Sequence, residues 1–248
     1  MNAEAIRDNL AKIRARIETA AARAGRRAEE ITLIGVSKTH PAEAIREAFA
    51  AGLRHFGENR VQEWEGKRGG LSDLAGNWHL IGHLQGNKAA RAAKEFHSVD
   101  SVDDFGLAQR LDRARGEQIA DRETGIPVAE VGKLRVLIEV RMAPEQAKSG
   151  VERADVAELA RKIVGLANLE LAGLMCIPPF LEAAELVRPY FAGLRELKGQ
   201  AEAALGRKLP VLSMGMSHDF EVAIEEGATE VRIGTALFGS RATPATQG

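Results

Sequence analysis

The sequence predicts a (β/α)8 TIM barrel with an additional N-terminal helix, and three observations carry that expectation. Eight short apolar runs alternate with stretches of helical period. The 248 residues match the length of one such barrel. The first apolar run ends Val36-Ser-Lys-Thr-His40 and lacks the glycine fingerprint that an open nucleotide-binding sheet places there. No composition shift, low-complexity tract or repeat beyond the alternation divides the chain, so residues 1–248 are expected to form a single domain.

Each element follows from its local pattern. Ile6, Leu10, Ile13 and Ile17 recur at helical spacing and give an amphipathic helix ending near Gly25. Ile31 to Lys38 reads as the first strand, and Pro41 suits the first turn of a helix running to about Ala51. A short strand over His55 to Gly57 leads into a helix from about Asn59. Trp78 to Gly82 is the third strand, with a helix after Gly86, and Phe96 to Val99 is the fourth. Ser101 with Asp104 three residues on reads as a capping box for the helix carrying Leu107 and Leu111. Glu117 to Gly132 has no convincing period and is expected to be a loop.

Arg135 to Arg141 is the fifth strand, with Val136, Ile138 and Val140 on the face under the outer helices. Val156, Leu159, Ile163 and Leu166 mark a helix, and Leu169 to Ile177 is the sixth strand, stopped by Pro178-Pro179. Phe191, Leu194, Leu197, Ala201 and Leu205 share one helical face, and Pro189 either opens or kinks that helix. Val211 to Met214, a helix over Ser217 to Glu226, and a strand over Thr229 to Ile233 complete the pattern.

Composition narrows the function. Lys plus Arg number 34 against 35 Asp plus Glu, a net charge of −1, without the basic excess expected of a nucleic-acid or membrane-surface protein. The single cysteine, Cys176, cannot form an internal disulfide and sits in an apolar run, which suits a buried residue in a reducing compartment. The N-terminal residues lack a continuous apolar core, so they do not read as a secretory signal, and no run is long enough to span a bilayer. The expected location is the cytoplasm.

In such a barrel, chemistry belongs at the C-terminal strand ends, and phosphate commonly binds after the seventh and eighth strands. Lys38 ends the first strand. Burial of its ammonium would favour the neutral amine that forms Schiff bases, although a lysine there can also simply mark the strand's end. The seventh strand ends Leu212-Ser-Met-Gly-Met-Ser217 and the eighth Val231-Arg-Ile-Gly-Thr235. Their glycines and hydroxyls suit an anion, while the plain alternatives are Ser217 as a helix cap and Gly234-Thr235 as a turn. Arg232 either pairs with a carboxylate such as Glu230 or points into the barrel mouth, where it would face a cofactor's ring nitrogen. Asn59 either caps the next helix or reaches into the mouth, and Glu58 and Glu63 read as solvated or paired carboxylates. His79 and His83 lie about 13 Å apart if both are on a strand, too far to share a metal ion, and the remaining histidines show no ligand spacing.

The segments Val36 to Thr39, Phe56 to Glu63, Trp78 to Gln85 with Asn87-Lys88, Lys148 to Gly150, Gly173 to Met175, Leu212 to Ser217 and Val231 to Thr235 with Phe238-Gly239 occur in the order of a known family. Along almost its whole length the chain resembles the pyridoxal phosphate homeostasis proteins, single barrels like the N-terminal domain of alanine racemase. The resemblance implies pyridoxal 5′-phosphate (PLP) as cofactor, held as a Schiff base on Lys38. It further implies that Arg232 faces the pyridine nitrogen, that Ser217, Gly234 and Thr235 hold the phosphate with Ser213 nearby, and that Asn59 and Met175 line the pocket. The departures are Glu139 and Arg141, where many relatives carry amides, and Ala147 in place of a hydroxyl residue.

Racemases of this fold need a second acid–base group, often a tyrosine. The only tyrosine here, Tyr190, falls on an outer helix. The expected role is therefore a non-enzymatic PLP carrier in intracellular PLP homeostasis, a monomer whose partners are PLP-dependent client enzymes. A weak amino-acid racemase is one alternative. An aldolase-like barrel, in which Lys38 attacks a sugar phosphate and the purified protein is colourless, is another.

Overall fold

The computed structural model describes residues 3–120, 132–143 and 149–239. Eight parallel strands close into a barrel in sequence order: β1 (Thr32–Val36), β2 (His55–Glu58), β3 (Asn77–Leu80), β4 (Ser98–Val102), β5 (Leu134–Glu139), β6 (Leu169–Met175), β7 (Val211–Ser213) and β8 (Glu230–Ile233). Closure is made by β1 on β8, with Ile34 beside Arg232 and Gly35 beside Ile233. The helices α1 (Ala3–Arg23), α2 (Ala42–Ala50), α3 (Val61–Lys67), α4 (Ala89–Glu95), α5 (Phe105–Ala120), α6 (Val156–Val164), α7 (Arg188–Leu205), α8 (Phe220–Glu225) and the one-turn α9 (Thr235–Phe238) lie outside it.

The large core fills the space between strands and helices. Val136, Ile138 and Val140 of the fifth strand region join it, as the alternation requires, whereas Leu137 faces inward with Ala172, Met175 and Val211. The apolar stripe Ile6, Leu10, Ile13 and Ile17 buries α1 on the barrel. Asn9 Nδ2 donates to the Leu237 carbonyl, and Arg26 Nη1 to the carbonyls of Ile224 and Ala228, so the N-terminal segment braces α8 and α9 from outside. At Gly173 the β6 backbone runs against β7. A Cβ there would lie 2.6 Å from the Val211 carbonyl carbon and would also strike its oxygen.

Several boundaries move for physical reasons. The fourth strand runs on to Val102, so Ser101 does not cap α5. Its hydroxyl donates to the Gly82 carbonyl at 2.7 Å, and Asp104 accepts from the Leu107 N–H at 2.8 Å instead. Helix α5 continues past Glu117 to Ala120; the rest of the expected Glu117–Gly132 loop, residues 121–131, lies outside the described residues. Pro189 sits in the first turn of α7 and opens it. Tyr190 packs, partly buried, on the outer core.

The N-terminal half of the barrel interior is polar. His79 Nδ1–H donates to Asp100 at 3.1 Å, which leaves Nε2 to accept from His55 at 3.0 Å. Ser98 donates to Asp100, and Arg135 pairs with Glu230. His79, Asp100 and Glu230 come within 4.8 Å of one another although three different strands supply them, a grouping that spacing along the chain could not reveal. Arg135 already brings positive charge to it. His79 and His83 have separate partners, the latter Asp103 at 3.5 Å.

Candidate functional site

The C-terminal rim between β1, β7 and β8 holds a cavity of about 260 Å³, below the roughly 300–1,000 Å³ of drug-sized pockets and suited to a compact ligand. Lys38, Ser217, Arg232, Gly234 and Thr235, drawn from three separate stretches of sequence, all line it. Barrel closure brings them together. β1 stops at Val36, so Lys38 stands on the loop beyond the strand, half-buried.

The loop carrying Lys38 is strained and braced. Thr39 has φ +66°, a left-handed conformation that costs a β-branched residue about 1–3 kcal/mol. Its N–H donates to Glu63, which Lys67 holds at 2.6 Å. Lys67 Nζ also donates to the Ser37 carbonyl at 2.9 Å and to Glu58 at 3.1 Å, and Ser37 Oγ donates to Glu58 at 2.7 Å. Glu58 and Glu63 are thus paired rather than solvated. Burial pushes the Glu58 carboxyl up, against the pull of Lys67 and Ser37. At Glu63 burial also pushes upward, but Lys67 and the Thr39 N–H together hold it below the usual range. The segment after β2 therefore fixes the backbone on both sides of Lys38.

On the opposite wall Ser217 is not a helix cap. Asp219 ends the loop before α8 and its Oδ1 accepts from the Met216 N–H at 2.6 Å, while Ser217 Oγ accepts from the Ala236 N–H at 3.2 Å. That bond ties the loop after β7 to the first turn of α9, which Gly234 and Thr235 open directly after β8. Hydroxyls and main chain converge there, an arrangement that suits an oxyanion.

Arg232 does not pair with Glu230. Arg232, 3% exposed, lines the cavity, and its guanidinium donates to Ser213 Oγ and to the Cys176 carbonyl, each at 2.7 Å. Ser213 is thus placed one step behind the wall. Met175, beside Ser213 in the β6–β7 register, is fully buried, and Asn59 lines a neighbouring cavity rather than this one. Lys148 and Ala147 lie outside the described residues. Glu139 is buried, accepts from Ser149 at 3.0 Å, and is pushed up by that burial. Arg141 reaches Glu152 at 2.5 Å. Reading the sequence alone missed His40, His218 and Phe180, which also line the cavity; His40 stacks on Phe238 at 5.0 Å, and His218 meets Phe180 at 5.2 Å. Each lies four or five residues beyond the end of its strand, on the C-terminal side where a barrel's chemistry gathers, the one signal that could have flagged it.

A closed eight-stranded barrel with a lysine just beyond β1, sharing one cavity with the hydroxyls and main chain beyond β7 and β8, fits a single-barrel protein of the alanine racemase N-terminal type. That family, described as "Alanine racemase, N-terminal domain", matches residues 2–242. The chain is 48% identical over 236 residues to the pyridoxal phosphate homeostasis protein of Pseudomonas aeruginosa, covering 95% of this chain and 96% of that one. It is 44% identical over 234 residues to the protein of the same name from Aquifex aeolicus, covering 94% and 97%. Among solved structures, PipY of Synechococcus elongatus PCC7942 with PLP bound is similar at 38% identity and a TM-score of 0.80, over 94% of this chain and all of that one. The chain belongs to the pyridoxal phosphate homeostasis protein family.

Proposed function

We propose that this chain binds PLP at Lys38 and serves intracellular PLP homeostasis. The observation that carries the reading is the single cavity onto which Lys38, Arg232, Ser217, Gly234 and Thr235 all open. When bound, the group would supply an aldehyde that condenses reversibly with an amine and releases water. The residues fit it. Lys38 supplies the amine, the loops tied by the Ser217–Ala236 bond supply donors for the phosphate, and Arg232 keeps a proton at the ring-nitrogen end because a guanidinium does not release one. Ser213 and the Cys176 carbonyl hold that guanidinium in place. Support comes from the PLP-bound PipY and from the names of the relatives.

The chain acts as a carrier, one domain and a monomer in the cytoplasm, delivering the cofactor to PLP-dependent client enzymes. Among the described residues no helix is long and apolar enough to cross a membrane. A second reading, slow proton exchange at an amino acid's α-carbon, draws on His40 and His218 in the cavity wall. Loss of label from an α-deuterated amino acid, dependent on Lys38, would favour it. The carrier reading predicts that added PLP turns the protein yellow with one equivalent taken up. K38A should keep the fold and bind at least tenfold more weakly without the colour, by the energy of a lost covalent anchor. An unchanged spectrum in K38A would contradict it.

A further inference from the structure

A second cavity, of about 580 Å³, opens on the same rim between the ends of β2 and β3 and takes no part in the site above. Its wall carries Arg60, Lys88 and His83 together with the amides of Asn59, Gln62 and Gln85, over an aliphatic floor that includes Leu80 and Leu84. No aspartate or glutamate lines it among the described residues. Arg60 is exposed and Lys88 half-buried, and neither has a carboxylate within ion-pair distance among the described residues. The carboxylate that Arg60 acts on, Glu63, is already held by Lys67 and the Thr39 N–H. His83 leans on Asp103 at 3.5 Å.

The walls are fixed before any ligand arrives. The Ile81 N–H donates to the Glu58 carbonyl at 2.9 Å, and Ser101 Oγ donates to the Gly82 carbonyl at 2.7 Å. The loop after β3 touches the loop after β2 so closely that a Cβ on Gly82 would lie 2.9 Å from the Asn59 Cα. A preformed pocket with two cations, several amide donors and no carboxylate is complementary to a polar anion.

The geometry points to a second binding site here, for a small organic oxyanion held by Arg60 and Lys88 and oriented by the Asn59, Gln62 and Gln85 amides. It is adjacent to the first. Val36 pairs with Gly57, so Lys38 and Asn59 leave the rim two residues later on neighbouring strands. The oxyanion is a carboxylate or a phosphate ester; both would meet the same donors. This site goes beyond the proposed PLP function and does not require it.

The test is calorimetric titration of PLP-loaded protein, so that the first phosphate cradle is filled, with succinate, inorganic phosphate and uncharged succinamide. One of the two anions should bind near one per chain and weaken with added sodium chloride, and succinamide should not bind. The R60Q/K88Q variant should lose about tenfold or more in affinity, the loss expected of charged hydrogen bonds, while R7Q/K12Q on the exposed side of α1 controls for the same change in net charge. Whichever anion binds identifies the source. Equal affinity in R60Q/K88Q and wild type, an equal loss in R7Q/K12Q, or no binding of either anion would overturn the site. A preparation that takes up no PLP would contradict the proposed PLP function alone, because the R60Q/K88Q comparison still decides the oxyanion site.

Discussion

Arg232 joins three parts of the barrel mouth. Its two donors satisfy a buried hydroxyl on β7 and a buried carbonyl just after β6. R232A leaves both acceptors without a partner, and the expected cost is about 1–3 kcal/mol of stability, seen as a lower denaturation midpoint. R232K keeps the charge but reaches one acceptor at a time, so it should fall between the two. A midpoint unchanged in R232A would show that the bonds contribute nothing. The sequence offered Glu230 as the partner because it lies two positions away. In a strand those two residues do face the same way, yet Glu230 is a layer lower and is taken by Arg135. Pairing inside a closed barrel is decided across strands, which local spacing does not record. The chemical character of Cys176 was legible: it is fully buried, and burial pushes its thiol up to about 12, so the sulfur is inert and only its carbonyl serves the site.

At the scale of elements, periodicity located the strands and helices because each strand faces one large core on its outer side. Boundaries slipped where a polar residue was buried. Asp100 and Ser101 extend β4 beyond Val99 because hydrogen bonds satisfy them, so their polarity did not end the strand as it would at a surface. Thr39 illustrates the opposite case: nothing in Ser-Lys-Thr announces a left-handed residue, and only the brace from Glu63 and Lys67 makes it tolerable. The β6–β7 contact gives a sharp prediction. G173A drives a methyl into the Val211 main chain, which has no flexible end to move aside. The expected loss is about 3 kcal/mol or more, measured by chemical denaturation, with β7 and the Ser213–Ser217 loop displaced. A neutral G173A would mean that the strands can separate freely there.

For the whole molecule, the polar lower interior couples stability to pH. Burial first, then the neighbouring His79 and Arg135, lower the His55 pKa to about 4; burial, then His79 and Arg115, also lower that of His97. Both rings stay neutral in the fold and protonate near 6.5 in the unfolded chain. The unfolded state therefore binds more protons below that pH. The contribution of these two rings is full above about 6.5 and declines as the pH falls towards about 4. Thermal denaturation across that window should show the decline, and H55Q should flatten it; a flat wild-type profile would contradict the burial argument. The fold was readable from alternation and length, and the cavity's ends from lysine, hydroxyls and glycines at strand termini. What the chain did not reveal was lateral: the Asp100–His79–His55 chain, the Ser217–Ala236 tie and the second cavity each depend on residues meeting across the barrel.

The most direct measurement of the central claim is borohydride reduction of the PLP-treated protein followed by peptide mass mapping. One reduced pyridoxyl group per chain is expected, on the peptide containing Lys38. Label on another lysine, or none at all, would contradict it.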